Sequence, residues 1–175
     1  ASQITQAEAF KTFIEWFRAG KWRRTGIIWW NLLDGWPQFS DAIVDYYFDR
    51  KLAYTFVQRS QRAVALIIRE LSPESLELVA ANDTLKDIPV SYRVSDVTND
   101  IRVFEGEVVA SKNASLSLRT ITLNPQDQRF FLIEWTDETG SHKNHYLAGR
   151  PPFDLEKYLQ WMQKTNMMPD DFWWH

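Results

Sequence analysis

Residues 25–41 read TGIIWWNLLDGWPQFSD and place three tryptophans beside two aspartates and one asparagine. The run at 27–30 is β-branched and aromatic throughout, which is typical of a parallel strand buried on both faces. Polar side chains follow at once, in a loop that contains Gly35 and Pro37. Tryptophan is also an ordinary core residue, so sugar contact and simple packing are both open at this point.

The sequence on either side predicts two helices. Thr5 and Glu8 have the spacing of a capping box, an apolar face follows at helical intervals, and Gly20 ends the first helix. Asp49 is placed to cap a second helix that runs to about Gln61. Helix, buried strand and helix predict an α-β-α piece over residues 1–61, with Trp29 packed towards the helices.

The pattern changes at residue 62, where short strands begin. Alternating apolar positions and turn residues predict seven of them, at 63–69, 76–81, 90–95, 103–109, 116–123, 130–136 and 143–148. A shift of apolar parity predicts a bulge near Arg119. The spacing favours an immunoglobulin-like antiparallel β-sandwich over residues 62–149, with Trp135 in its core.

The last segment, residues 150–175, predicts a C-terminal helix capped by Asp154 and a tail. Its apolar face is predicted to comprise Leu155, Tyr158, Leu159 and Met162. Trp161, Trp173 and Trp174 are expected to dock this helix and tail onto the rest of the protein. The fold class is therefore mainly β, and because one parallel strand cannot form a domain, we expect a piece of a larger protein.

Composition narrows the classes of function. The net charge of -3 argues against nucleic acid as a main partner, and no apolar run is long enough to span a membrane. The absence of cysteine excludes disulfides and thiol catalysis. It does not identify the cellular compartment, and a periplasmic or secreted protein is one interpretation. The aromatic share of 15% is the one unusual feature, and it directs attention back to residues 25–41.

Residues 26–59 resemble the last strand and helix of the catalytic barrel in glycoside hydrolase family two, most of all its β-mannosidase branch. Residues 26–37 read GIIWWNLLDGWP, and the run DYY at 45–47 and the pair Arg50-Lys51 follow. The family pattern is glycine, two apolar residues, an aromatic, tryptophan, glutamine, leucine, asparagine, aspartate, any residue, tryptophan and proline. That family also continues into an immunoglobulin-like sandwich.

The resemblance implies that residues 1–61 are the end of a (β/α)8 barrel and that the whole enzyme hydrolyses terminal β-linked sugars with retention. The two catalytic glutamates of the family would lie upstream of Ala1, and Glu8 and Glu15 belong to a helix outside the barrel mouth. We therefore expect no catalytic residue, cofactor or metal in this chain, and no activity of the isolated chain. The implied partners are a β-linked carbohydrate and the rest of the barrel.

Four residues are substrate-binding candidates by their match to the family pattern. Trp30 would form the aromatic floor of the sugar subsite, Asn31 and Asp34 would bind hydroxyls or orient neighbours, and Trp36 would shape the rim. Asp34 has an alternative role as a cap of its own loop. Leu33 and Asp41 depart from the mannosidase pattern, so galactosides, glucosaminides or glucuronides fit as well as mannosides.

Two other classes of function compete with this reading. A free-standing carbohydrate-binding module would need exposed aromatics on the sandwich, whereas a structural or oligomerising domain would need none.

The edges of a strand at 27–31 would pair with a second copy or rearrange locally. His142 and His145 are predicted to face opposite sides of a strand, which makes a poor metal pair. Acidic and amide residues at 96–100 are interpreted as turn formers rather than calcium ligands.

Overall fold

The sandwich predicted from the alternating pattern is present in the computed structural model, which describes residues 1–169. Three helices and seven strands are formed. The helices are α1 (Ser2–Ala19), α2 (Leu52–Ser60) and α3 (Leu155–Lys164). The strands are β1 (Val64–Ser72), β2 (Ser75–Asn82), β3 (Ile88–Asp96), β4 (Ile101–Ala110), β5 (Ala114–Thr122), β6 (Arg129–Asp137) and β7 (Gly140–Ala148).

The strands form two antiparallel sheets packed face to face. One sheet has the order β1-β2-β5 and the other β4-β3-β6-β7, which is an immunoglobulin-like arrangement of three and four strands. The predicted bulge is confirmed: Leu78 pairs with Arg119 and Val79 with Ser117, so one residue of β5 is left over. Trp135 is buried in the core between the sheets, as predicted.

Helices cover the outer faces of both sheets. Ala19 at the end of α1 packs with Ala65, Ile67, Val79 and Ala81 on the outside of β1 and β2. The three helices together cover Phe130 and Leu132 on the outside of β6. β1 is therefore buried on both faces, by the second sheet on one side and by α1 on the other. This explains why β1 is apolar at five successive positions instead of alternating.

The buried strand predicted at 27–31 is wrong. No strand forms there, and Ile28 is 93% exposed. A parallel strand needs a neighbour to bond its backbone groups, and within residues 1–169 none lies beside 27–30. The next residues pair locally instead: Leu33 forms a parallel bridge with Val44, and the carbonyl oxygen of Asn31 accepts a hydrogen bond from the Ile43 amide.

Two predicted helix caps are also wrong. α1 begins at Ser2, and the Thr5 hydroxyl donates to the Ala1 carbonyl oxygen, so Thr5 lies inside the helix rather than at its cap. α2 begins at Leu52 and not at Asp49. Asp49 instead donates its amide to the Asp45 carboxylate, in a turn that precedes the helix.

The end of α1 at Gly20 and the Asp154 cap of α3 are confirmed. Tyr158 and Met162 are buried on the predicted face of α3, whereas Leu155 is exposed. Trp161 packs against Phe130, but Trp173 and Trp174 lie outside the described residues. Within residues 1–169, no helix combines the length and apolar character that crossing a bilayer requires.

Candidate functional site

The candidate site is the loop at 30–41, which is fixed by pairing with residues 43–44. The Val44 amide donates to the Leu32 carbonyl oxygen, and the Asp34 amide donates to the Val44 carbonyl oxygen. These bonds fold the tryptophan-rich stretch back on the segment that leads into α2. The loop therefore has a defined shape although it contains no regular strand.

Asp34 is the internal anchor of this loop and is only 2% exposed. One carboxylate oxygen accepts hydrogen bonds from the Ser40 hydroxyl and from Gln38 Nε2 at 3.1 Å, and the other accepts from Lys51 Nζ at 3.2 Å. The hydrogen bond from Ser40 holds the pKa of Asp34 below its ordinary value, with help from Lys51 and Gln38 against the effect of burial.

Both oxygens of Asp34 thus accept hydrogen bonds, one from two side chains of the loop and the other from Lys51, which directly precedes α2. This geometry is the one expected for the loop-capping and orienting roles of Asp34, and the carboxylate is buried. Lys51 was not singled out as the partner of Asp34 by sequence reasoning. Its pairing depends on the fold of residues 35–50, which no local pattern predicts.

The two candidate tryptophans are exposed. Trp30 is 70% and Trp36 64% exposed, so both rings are open to a ligand or to another part of a larger protein. Asn31 is half-buried, and its side-chain oxygen has no hydrogen-bond partner within residues 1–169. Trp29 packs edge-on against Phe10, with ring centres 5.7 Å apart, and this confirms its predicted role in packing.

Exposed aromatic side chains are distributed unevenly along the chain. Within residues 1–169, all of them except Phe153 lie in the first 48 residues: Phe13, Trp16, Trp22, Trp30, Trp36, Phe39, Tyr46, Tyr47 and Phe48. In the sandwich, residues 62–149, the exposed large hydrophobic side chains are all aliphatic. A surface suited to stacking against sugar rings is therefore found on residues 13–48 and not on the sandwich.

A buried polar junction joins the helices to the sandwich. Glu8 of α1 accepts hydrogen bonds from His145 Nε2 of β7 at 2.6 Å and from the Tyr158 hydroxyl of α3 at 2.5 Å. His145 stacks on Phe130 with ring centres 5.2 Å apart. Its Nδ1 is buried without a partner, which favours the neutral ring because a second N–H would be unsatisfied.

The pKa values of this junction follow from burial and from the short contacts. Burial alone would raise the pKa of Glu8, but His145, Lys11 and Tyr158 together outweigh it and hold that pKa at about 2. Burial lowers the pKa of His145, although Glu8 acts in the opposite direction. Burial and the adjacent Glu8 raise the pKa of Tyr158. Glu8 is therefore a carboxylate between two neutral donors at neutral pH.

A second polar contact lies two helical turns further along α1. Glu15 is buried, pairs with Lys11 Nζ at 2.8 Å and accepts a hydrogen bond from Asn144 Nδ2 of β7 at 2.9 Å. Sequence reasoning placed Glu8 and Glu15 in the first helix, and both lie in α1. It did not predict their partners, because Asn144 and His145 lie more than a hundred residues away.

No metal centre is built from the described part of the chain. Within residues 1–169, no three acidic, histidine or cysteine side chains are grouped as a metal site requires. His142 contacts Asp137 and Thr139, whereas His145 contacts Glu8, so the two rings face different surroundings. Asp96 accepts amide hydrogen bonds from Thr98 and Asn99, as expected of a turn residue.

Comparisons with known proteins give two β-mannosidases among the relatives of this chain. No family model matches the chain. A curated relative, β-mannosidase B of Thermothelomyces thermophilus, is 32% identical over an alignment of 114 residues, which takes in 55% of this chain and 13% of that protein.

Solved structures give the same picture. The β-D-mannosidase of Dictyoglomus thermophilum superimposes with a TM-score of 0.75 at 29% identity, over 85% of this chain and 19% of that chain. An exo-chitosanase of Amycolatopsis orientalis has a TM-score of 0.63 at 16% identity, also over 85% and 19%, and this likeness concerns the fold alone. The chain thus spans a small part of the length of each relative. It is similar in sequence and fold to a segment of β-mannosidases, which are glycoside hydrolases, and this confirms the resemblance seen in residues 26–59.

Proposed function

We propose that this chain acts as part of a retaining β-glycosidase of glycoside hydrolase family two, with a β-mannoside as its first candidate substrate. The observation that carries the proposal is the 29% identity to the Dictyoglomus β-D-mannosidase over 85% of the chain. The catalytic glutamates would be supplied by another part of the enzyme, and the isolated chain would be inactive. Residues 1–61 would be the end of the catalytic barrel.

In this proposal the loop at 30–41 is one wall of the sugar site. Trp30 offers an exposed aromatic face, which suits the C–H-rich face of a pyranose ring, and Trp36 borders it. The side-chain oxygen of Asn31 is buried and has no hydrogen-bond partner in the described chain, and Asn31 would bind a hydroxyl with its side chain turned towards the sugar. Asp34 would act through Ser40 and Lys51 by holding the loop in shape, rather than by touching the sugar.

The sandwich would support the barrel mechanically. The Glu8 junction and the contact between Glu15 and Asn144 fix α1 to β7. In addition, Arg18 Nη1 donates to the Ser60 carbonyl oxygen at 2.5 Å, which ties α1 to α2. A support of this kind keeps the loop at a fixed position relative to the rest of the enzyme.

The rival classes receive less support. A free-standing carbohydrate-binding sandwich would present aromatic rings on residues 62–149, and the exposed large side chains there are aliphatic. Pairing of a second copy along residues 27–31 stays a prediction; the pairing of Leu33 with Val44 supports the alternative of local rearrangement.

A chimeric enzyme tests the proposal. The matching segment of the Dictyoglomus β-D-mannosidase is replaced by this chain, and hydrolysis of p-nitrophenyl β-mannoside is measured. We expect an active chimera, no activity of this chain alone, and a fall in kcat/KM of about 100-fold for Trp30→Ala, because a stacking face worth about 2–3 kcal/mol is lost.

The matched control is Trp16→Ala, which removes an exposed tryptophan of α1 outside the loop. It should leave kcat/KM within about twofold of the unchanged chimera, as expected of a surface substitution. A folded chimera without activity, or equal losses for the two tryptophan variants, would contradict the proposed role of the loop.

A further inference from the structure

A surface at the end of α1 combines two exposed tryptophans with a run of cations. Residues 16–24 read WFRAGKWRR and contain four cations and no acidic residue. Trp22 is 60% exposed, and Trp16 is exposed as well. We call the side chains of Trp16, Lys21, Trp22, Arg23 and Arg24 the Trp22 surface. It includes none of the four residues proposed for the sugar site.

The ring of Trp22 is held in place although it is exposed. Its indole Nε1 donates to the Asn113 carbonyl oxygen at 3.1 Å, and Lys21 Nζ lies 5.6 Å from the ring centre. The Ser115 hydroxyl donates to the Lys21 carbonyl oxygen at 3.4 Å. A ring fixed by neighbouring segments loses little conformational entropy when a ligand stacks on it.

The segment that carries this ring is rich in cations, and Lys21 lies beside the ring itself. Arg18 and Lys21 share the single carboxylate of Asp83, whereas Arg23 and Arg24 enter no ion pair within residues 1–169. Four cations thus meet one acid, in a chain whose net charge is -3. The Arg24 guanidinium lies 3.7 Å from the centre of the Trp16 ring, which orders it without neutralising it.

We propose that the Trp22 surface binds an anionic carbohydrate, a chain of uronate residues whose rings stack on Trp22 and whose carboxylates pair with Arg23 and Arg24. A neutral sugar chain would use the ring face and leave the arginines unpaired. An acidic peptide would use the charges but has no flat sugar ring to place on the indole. A nucleic acid would also offer rings and negative charges, but the net charge of -3 argues against it as a partner. A uronate chain satisfies both features.

Binding of polymers to the full chain tests this proposal. Isothermal titration is carried out with polygalacturonate, with neutral galactomannan and with poly-glutamate. We expect polygalacturonate to bind at least about tenfold more tightly than the other two polymers, and to bind more weakly as salt is added, because the charge pairs are exposed. Equal affinity for poly-glutamate would indicate a protein partner, and equal affinity for galactomannan would indicate a neutral-sugar surface; either result overturns the proposal, as does the absence of binding.

Variants separate the two features of the surface. Arg23→Ala/Arg24→Ala should weaken polygalacturonate binding by about 10- to 100-fold, and Trp22→Ala by about tenfold. The control Arg93→Ala/Arg102→Ala removes the same charge from β3 and β4, where both arginines pair with Glu105. An equal loss in this control would overturn the proposal, because binding would then follow net charge and not the Trp22 surface. If Trp22→Ala does not fold, the two arginine pairs still decide the question.

Discussion

Buried polar residues connect α1 to the sandwich and to α3. Glu8 accepts two hydrogen bonds in a nearly closed space, from donors that belong to β7 and α3. A carboxylate in such a place must keep its donors, because an unpaired buried charge is costly. One side chain therefore links three elements, and its protonation affects all three.

The pH dependence of stability follows from the two lowered pKa values. The pKa of Glu8 is about 2 in the folded chain and 4.5 ordinarily, so its stabilisation is complete above pH 4.5 and is lost as the pH falls towards 2. The pKa of His145 is also lowered from 6.5, so its contribution is present above pH 6.5 and decreases below it. We expect the free energy of unfolding in urea to decrease from pH 7 to pH 3.

Substitution of Glu8 measures how much of this pH dependence of stability is due to Glu8. Glu8→Gln removes the charge that strengthens both hydrogen bonds and should lower the free energy of unfolding at pH 7 by about 1–3 kcal/mol. It should also flatten the pH dependence below pH 4.5. The control is Glu107→Gln, an exposed glutamate without an ion pair within residues 1–169. Identical pH profiles for the two variants would show that Glu8 is not the titrating group.

At the scale of elements, the same apolar pattern gives a strand in one place and not in another. Residues 64–68 read VALII and form β1, because β2 lies beside them over nearly their whole length. Residues 27–30 read IIWW and form no strand, because no other segment of residues 1–169 bonds to their backbone. The apolar pattern predicts which side chains are buried, but a strand forms only where a second strand can pair with it.

The N-terminal cap of α3 gives a prediction at this scale. The Asp154 carboxylate accepts the amide hydrogens of Glu156 and Lys157, at 3.0 and 3.1 Å. Asp154→Ala should therefore lower the free energy of unfolding by about 1 kcal/mol, whereas Asp154→Asn, an equally good cap, should change it by only a few tenths. Urea denaturation measures both. A similar loss in the two variants would mean that charge, and not capping, is what Asp154 contributes.

Over the whole molecule, sequence reasoning was most accurate where local pattern decides the structure. All seven strands and the bulge in β5 were predictable, because alternation and parity are local properties. The partners of Asp34 and Glu8 were not, because Lys51 and His145 reach them only through the tertiary fold. The exposed positions of Trp30 and Trp36 agree with the candidate site but do not test it.

The double covering of the sandwich predicts how a shortened chain behaves. Residues 62–149 alone would expose Ala65, Ile67, Val79 and Ala81 on one sheet and Phe130 and Leu132 on the other. We expect this shortened chain to bind an apolar dye such as ANS and to unfold at a lower temperature than the full chain, or to aggregate. Calorimetry and dye fluorescence measure this. A shortened chain as stable as the full one would contradict the role assigned to the helices.

That covering also limits what evolution or an engineer can do with the sandwich. A module that is inserted freely between unrelated proteins must present a water-compatible exterior of its own. Here β1 and β6 carry apolar residues on their outer faces as well as in the core, so transplanting the domain means carrying α1, α2 and α3 along or rewriting those faces as polar. We therefore expect related proteins that contain this sandwich to contain the three helices as well.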